Sequence, residues 1–111
     1  VDEQIRGGIV QGIGGAMFEE CMYSEDGQLL NGSMADYLVP MAGEMPDMVI
    51  GHVQTPTKTS ELGAKGAGEA GTAGAPGAVM NAINDALAPL NANVSVQPFT
   101  PQRVLAALGK I

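Results

Sequence analysis

The sequence predicts an α+β fold with a glycine-rich helix, a small and mostly antiparallel sheet, and then two further helices. Three observations support that order. Apolar residues recur every four positions near the start of the chain, short apolar runs separated by Gly and Pro fill its middle, and helical spacing returns near its end. With 111 residues and 45% hydrophobic content, we expect a single domain with a modest core.

The first helix is predicted from Asp2, which can cap it, to Met17. Its apolar row consists of Ile5, Ile9, Ile13 and Met17, each four residues after the last. Gly8 and Gly12 lie on an adjoining row. Because a glycine inside a helix costs about 1 kcal/mol relative to alanine, this helix needs a neighbour that packs closely against it.

Strands are predicted in the middle of the chain. Residues 21–30 are typical of a hairpin, because Asp26-Gly27 supplies the positive φ that a tight turn needs. Residues 35–39 and 48–54 are predicted to be further strands. The residues that separate them and break regular structure are Pro40, Gly43 and Pro46.

Two helices are predicted after the strands. Pro76 is well placed near the start of the second helix, and Thr100-Pro101 can cap and open the third. The apolar residues that follow at helical spacing are Val79, Ile83, Ala86, Leu87 and Leu90 in the second helix, and Val104, Leu105 and Leu108 in the third.

Composition excludes several classes of protein. A net charge of -7 with no basic patch argues against a nucleic-acid partner. The single cysteine, Cys21, cannot form an internal disulfide, and no Cys/His spacing is typical of a zinc site, so a metal would arrive with another component. No apolar run predicts a membrane span, and we expect a cytoplasmic protein. The chain enters a helical pattern directly after Val1, as a piece of a longer polypeptide would.

A glycine-dense loop at residues 63–71 is the strongest functional signal. Glu69 is the only acid/base group of its kind there, with bare backbone on either side, and we predict that it is a general base. Residues 66–71 also match the GxGxxG pattern of dinucleotide-binding proteins. The context disagrees, because no strand precedes these glycines and Pro76 interrupts the register, so a Rossmann site is not favoured.

A second candidate is the amide of Gln11, in the glycine-rich run of the first helix, which can donate and accept hydrogen bonds toward a bulky polar ligand. From the pattern alone, ordinary helix packing explains this run equally well or better.

Four segments carry a resemblance to a known family. They are GIVQGIGGAMFEE, YSEDGQLLNGSMADYLVP, LGAKGAGEAGTAGAPGAVMNAINDAL and FTPQRVLAAL. In this order they resemble the carboxyl end of the large, molybdopterin-binding subunit of xanthine oxidase-family molybdenum hydroxylases, nearest to the aerobic carbon monoxide dehydrogenase-like branch. The resemblance implies that residues 1–111 are a carboxyl-terminal fragment of a molybdopterin-binding domain.

The resemblance also implies functional roles. Glu69 matches the glutamate that acts as general base beside the metal. The residues that match cofactor contacts are Gln11, Gly12, Lys65, Gly66, Ala67 and Gly68, and no side chain of this chain is implied as a metal ligand. The implied cofactor is molybdenum-molybdopterin in its cytosine dinucleotide form, bound by the full-length protein and absent from the isolated fragment.

The implied partners are the remainder of the large subunit and iron-sulfur and flavin subunits or domains. The implied reaction is hydroxylation, or carbon monoxide oxidation, with water as the oxygen source; carbon monoxide, aldehydes, purines and N-heterocycles all stay open as substrates. Alone, these 111 residues are not expected to catalyse a reaction.

Two other hypotheses need no molybdenum. The chain could stand alone as a small module that binds a nucleotide or an anion through the backbone of residues 66–71. It could also be a catalytically inert remnant that self-associates into a homo-oligomer to cover apolar surface.

Overall fold

A computed structural model describes residues 1–111 and contains three α-helices. They are α1 (Asp2–Met17), α2 (Ala75–Leu87) and α3 (Pro101–Ala107), with short 3-10 turns at Ala42–Glu44 and Ala88–Leu90. All three helices lie where the sequence predicts them. The predicted sheet is absent, so the α+β fold class with an antiparallel sheet is wrong.

The predicted hairpin is reduced to one antiparallel bridge between Tyr23 and Leu29. The predicted tight turn is present, since Gly27 has a φ of +80° and its N–H donates to the Ser24 carbonyl at 2.9 Å. The predicted strand at 35–39 begins instead as a turn, in which the Tyr37 N–H donates to the Ser33 carbonyl at 2.8 Å.

Residues 48–54, predicted to be a strand, form no strand and no backbone pairing. Their backbone N–H groups donate to no acceptor in the chain, and the side chains of Val49 and Val53 are 101% and 93% exposed. A strand needs a neighbouring strand to satisfy its backbone. The prediction of a strand at 48–54 is therefore wrong, because these residues pair with no other strand of this chain.

Polar side chains of α1 contact residues 48–54. The Arg6 guanidinium donates twice to the Met48 carbonyl, each time at 3.3 Å, and Asp2 Oδ1 lies 2.7 Å from His52 Nε2. The hydrogen bond with His52 keeps the pKa of the Asp2 carboxyl below its usual value. Asp2 therefore pairs with His52 and does not cap α1, whose capping residue is Val1.

The close neighbour that the glycines of α1 require is the start of α2 and the turn before it. A methyl group at Gly12 would collide with the side chain of Ala75 and approach Pro76 Cδ to 2.9 Å. At Gly8 a methyl group would lie 3.0 Å from the backbone nitrogen of Thr72. The glycine row thus lets the two backbones come close together, which is the packing that the sequence predicts.

A small core lies between α2, α3 and the end of α1. It consists of Leu87, Ala92, Val94 and Phe99, with Met80, Ile83, Val104, Ala107 and Leu108 packed against it. The Asn84 amide donates to the Val94 carbonyl and accepts from its N–H, both at 2.9 Å, and the Phe99 N–H donates to the Ala16 carbonyl at 2.6 Å. These bonds hold the linker between α2 and α3 against α2 at Asn84 and against the end of α1 at Ala16.

The predicted cap of α3 is confirmed: Thr100 Oγ1 accepts from the Arg103 N–H at 3.3 Å. The Arg103 side chain also donates to the Pro98 carbonyl at 2.7 Å and to the Glu20 carboxylate at 2.5 Å. This ion pair attaches α3 to the chain that leaves α1.

The molecule is open for its length. Only 10 of its 111 residues are buried, and its radius of gyration is 17.5 Å, against about 13 Å for a compact domain of this size. None of its helices has both the length and the apolar character needed to cross a bilayer.

Candidate cofactor site

The segment that carries Glu69 is a series of turns leading into α2. The Glu69 carbonyl accepts hydrogen bonds from the N–H groups of Thr72 (3.1 Å) and Ala73 (3.2 Å). The Ala70 N–H donates to the Ala67 carbonyl at 3.3 Å. These bonds fix the backbone at Glu69, so the direction in which its side chain leaves the loop is set by the turn.

One face of α1 holds this segment. Gln4 Nε2 donates to the Gly68 carbonyl at 2.9 Å, and Thr72 Oγ1 lies 3.1 Å from the Gly8 carbonyl oxygen and 3.3 Å from Gln11 Oε1. Positions 4, 8 and 11 follow one another along a single helix face. The structure therefore brings Gln11 beside the loop of Glu69, although the two residues are 58 positions apart in the sequence.

The backbone of residues 65–69 is open to a ligand. None of these five consecutive N–H groups donates to an acceptor within the chain. A methyl group at Gly66 or at Gly68 would meet no atom within 4 Å, so no neighbour in this chain requires glycine there. A run of bare, unpaired N–H donors suits a ligand that is rich in acceptor oxygens.

Lys65 faces a different part of the chain from Gln11. Its ammonium group donates to Thr55 Oγ1 at 2.5 Å, and Lys65, Gly66 and Ala67 line a cavity of about 460 Å³ together with residues 53–56 and 62–63. Neither Gln11, Gly12 nor Glu69 lines this cavity. The predicted residues thus form two groups, one against α1 and one against residues 53–56, joined by the loop itself.

The Glu69 side chain is exposed and forms no ion pair within the chain. Its carboxylate is therefore available to a bound molecule. No group of three His, Cys, Asp or Glu side chains lies close enough together to hold a metal ion directly.

Sequence reasoning missed two threonines. Thr72 contacts Gln11, and Thr55 contacts Lys65. The only available signal for Thr72 was its position directly after the glycine-dense loop, on the side that faces the glycine row of α1. Thr55 lies in a polar stretch and carries no comparable signal.

Comparisons with known proteins agree with this geometry. A model of the molybdopterin cofactor-binding domain matches residues 1–46. The nicotine 6-hydroxylase large subunit of Paenarthrobacter nicotinovorans is 44% identical over 96% of this chain, which corresponds to 13% of that relative. The carbon monoxide dehydrogenase large chain of Afipia carboxidovorans is 35% identical over 94% of this chain and 13% of its own length.

A solved structure has the same fold. Quinoline 2-oxidoreductase from Pseudomonas putida 86 superposes with a TM-score of 0.93 and 41% identity, over 98% of this chain and 14% of that one. The chain thus spans about one seventh of the length of the proteins it matches. Similarity along nearly its whole length shows that the chain belongs to the molybdopterin-binding large subunits of xanthine oxidase-family molybdenum hydroxylases.

Proposed function

We propose that this chain forms part of the cofactor site of a molybdenum hydroxylase, with Glu69 as its general base. Gln11, Gly12 and residues 65–68 are the proposed cofactor contacts. One observation carries this proposal: five unpaired backbone donors at 65–69 lie on a loop that Gln4 and Thr72 fasten to the Gln11 face of α1.

The residues present suit such a cofactor. When bound, the molybdenum cofactor would supply the redox chemistry and bring its own metal, and this chain would position it through Gln11 and the backbone of residues 65–68. Phosphate and pterin oxygens accept hydrogen bonds, and a glycine-lined backbone lets them approach unpaired N–H groups closely. The cytosine dinucleotide form, which the sequence resemblance implies, is part of this proposal.

Glu69 is suited to move a proton. A general base must come within about 2.6 to 3.2 Å of the group it deprotonates, either directly or through one water. Its backbone is fixed by two hydrogen bonds, and its carboxylate is not occupied by a cation of this chain. In the proposed reaction it accepts a proton as water supplies the oxygen that is added to the substrate.

The proposed substrate is an N-heterocycle. Nicotine 6-hydroxylase and quinoline 2-oxidoreductase match with 44% and 41% identity, whereas the carbon monoxide dehydrogenase large chain matches with 35%. The names of the first two proteins describe oxidation of nitrogen-containing rings. This difference favours oxidative hydroxylation of such a ring over oxidation of carbon monoxide.

The proposed partners are the remainder of the large subunit and iron-sulfur and flavin subunits or domains. An open molecule with few buried residues agrees with packing against further protein. The stand-alone module and the self-associating remnant are disfavoured, because relatives carry this segment within far longer subunits. A homo-oligomeric state and a cytoplasmic location stay predictions.

The experiment compares two glutamates in the complete gene product, purified with its partner subunits. Glu69→Gln keeps the size of the side chain and removes the base, so kcat should fall by about 10²-fold or more while the molybdenum content stays unchanged. Glu61→Gln, at another exposed site nearby, should leave kcat unchanged. A wild-type protein without molybdenum, or full turnover by Glu69→Gln, would refute the proposal.

A further inference from the structure

A groove lies between α3 and the chain that leaves α1. Two cavities of about 520 and 370 Å³ share four lining residues and form this α3 groove. The shared residues are Phe18, Leu38, Thr100 and Gln102. The Arg103 guanidinium donates to the Glu20 carboxylate at 2.5 Å, and the Phe99 N–H donates to the Ala16 carbonyl at 2.6 Å. These two bonds hold the walls of the groove together.

The two ends of the α3 groove differ in chemistry. The larger cavity is mainly apolar, and the residues that line it alone are Met17, Ile83, Phe99, Pro101 and Val104. The smaller cavity contains the carboxylates of Glu20 and Asp36 together with Met22. A molecule that fills both cavities therefore needs an apolar part and a part that suits carboxylates.

This chain does not neutralise the acidic end of the groove. Glu20 is paired with Arg103, but the Asp36 carboxylate forms no ion pair and accepts a single hydrogen bond, from Ser33 Oγ at 3.3 Å. Residues 7–57 contain no lysine or arginine and seven acidic residues, namely Glu19, Glu20, Glu25, Asp26, Asp36, Glu44 and Asp47. A cation that complements Asp36 therefore has to come from outside this chain.

Apolar side chains at the groove are open to water in this chain. Met22 is 53% exposed and Leu38 is 61% exposed, although both line the cavities. Exposed apolar surface beside a polar rim is typical of a surface that packs against protein. The chain spans 13% of the nicotine 6-hydroxylase large subunit, so most of a related subunit lies outside it. A segment of the same polypeptide reaches the groove at a higher effective concentration than a separate subunit does.

We infer that the α3 groove binds a segment of the remainder of the large subunit, with an apolar side chain in the larger cavity and an arginine or lysine beside Asp36. The aliphatic stem of that residue packs along Met22 and Leu38, while its charged head pairs with the carboxylate. This inference rests on the proposed partner of the chain, and it does not depend on Glu69 or on the cofactor.

Cross-linking in the complete protein, purified with its partner subunits, identifies the occupant. Gln102→p-benzoylphenylalanine places a photoreactive group at the groove, since Gln102 is exposed and lines both cavities. Irradiation should join it mainly to one peptide of the large subunit, outside residues 1–111, that contains Arg or Lys near apolar residues. Glu25→p-benzoylphenylalanine, at an exposed position outside the groove, is the control and should not give this peptide.

Amide hydrogen exchange on the complete protein tests the charge. Asp36→Asn keeps an acceptor for Ser33 Oγ but removes the negative charge, so exchange at residues 99–107, in the opposite wall, should become about tenfold faster. Asp26→Asn removes the carboxylate of an exposed residue that lines neither cavity, and exchange at residues 99–107 should stay within about twofold of wild type.

Two results would overturn the inference. One is a main cross-link from position 102 to another subunit or to a second copy of this chain. The other is exchange at residues 99–107 that Asp36→Asn leaves unchanged or that Asp26→Asn accelerates equally, and this measurement decides alone if the cross-linker yields no product. Both results would leave the proposed role of Glu69 standing, which the turnover of Glu69→Gln tests separately.

Discussion

The helices differ from the chain that joins α1 to α2 in two ways: how far their backbone groups are hydrogen-bonded, and how far their apolar side chains are buried. The helices satisfy most of their own backbone groups, and α1 meets the start of α2 at Gly12 and the turn before α2 at Gly8. Residues 21–70 form one isolated bridge and expose most of their large apolar side chains. A helix satisfies its backbone within one segment, whereas a strand needs a second segment to pair with, and residues 21–70 pair only at one bridge.

The largest expected change in stability comes from removing a side chain from the small helical core, measured in the complete protein. Phe99 is 4% exposed, and Phe99→Ala should lower the free energy of unfolding by about 3 to 5 kcal/mol, because it removes a buried ring and leaves a cavity. Val96→Ala, at a position that is 60% exposed, is the control and should change it by less than about 0.5 kcal/mol. Denaturant titration measures both, and equal effects would show that the core lies elsewhere.

The contact between α1 and α2 gives the next effect. Gly12→Ala places a methyl group against Ala75 and Pro76, and it should destabilise the protein by about 1 to 3 kcal/mol. Gly15→Ala has free space within 4 Å and should stabilise by up to about 1 kcal/mol, since alanine favours a helix. Thermal unfolding of the two variants tests this opposite sign. A gain in stability for Gly12→Ala would contradict the close packing.

A substitution within residues 48–54 should have a smaller effect on stability. Val49 is fully exposed in this chain, so a polar substitution would cost nothing if that exposure persisted in the complete protein. We expect the remainder of the subunit to cover it, in which case Val49→Ser lowers the free energy of unfolding by about 1 to 2 kcal/mol. Lys58→Ser is the exposed control. If both substitutions are neutral in denaturant titration, the segment has no apolar partner.

The smallest expected effect is a change in the pKa of Tyr37, which makes stability depend on pH. Tyr37 donates a hydrogen bond to Glu19 Oε1 at 2.9 Å, which raises the pKa of the phenol above its ordinary 10.0. A pKa raised by folding adds stability that is fully present below pH 10.0 and is lost as pH rises through the raised pKa. Glu19→Gln should therefore lower the pKa of Tyr37 in a phenolate absorbance titration. Tyr23→Phe, which leaves this bond intact, should not.

The sequence predicted the parts of the fold that depend on local patterns. Three such patterns each depend on residues close together in the sequence. They are the apolar repeat of α1, Pro76 in the first turn of α2 and the Thr100 cap of α3. The need for a close neighbour at Gly12 also followed from helix propensity alone. The sheet was wrong because strand pairing is a property of two segments, and the segments predicted to be strands do not pair with one another in this chain.

In the candidate site, too, local features could be predicted from the sequence, whereas contacts between distant residues could not. Glu69 and the glycine-dense loop could be predicted from the sequence, since a single carboxylate among glycines is a local pattern. The contact between Thr72 and Gln11 could not, because it joins residues 61 positions apart and depends on the missing side chain at Gly8. Nor could the pairing of Lys65 with Thr55, since nothing in that polar stretch distinguishes one threonine from its neighbours.

The central proposal is that two segments without backbone partners in this chain have different partners in the complete protein: further protein for residues 49–53, and the cofactor for residues 65–69. Amide hydrogen exchange on the complete protein, with and without its molybdenum cofactor, tests this most directly. Cofactor loading should slow exchange at residues 65–69 by about tenfold or more, while residues 49–53 are equally protected in both forms. Exchange at 65–69 that is unchanged by the cofactor would contradict the account.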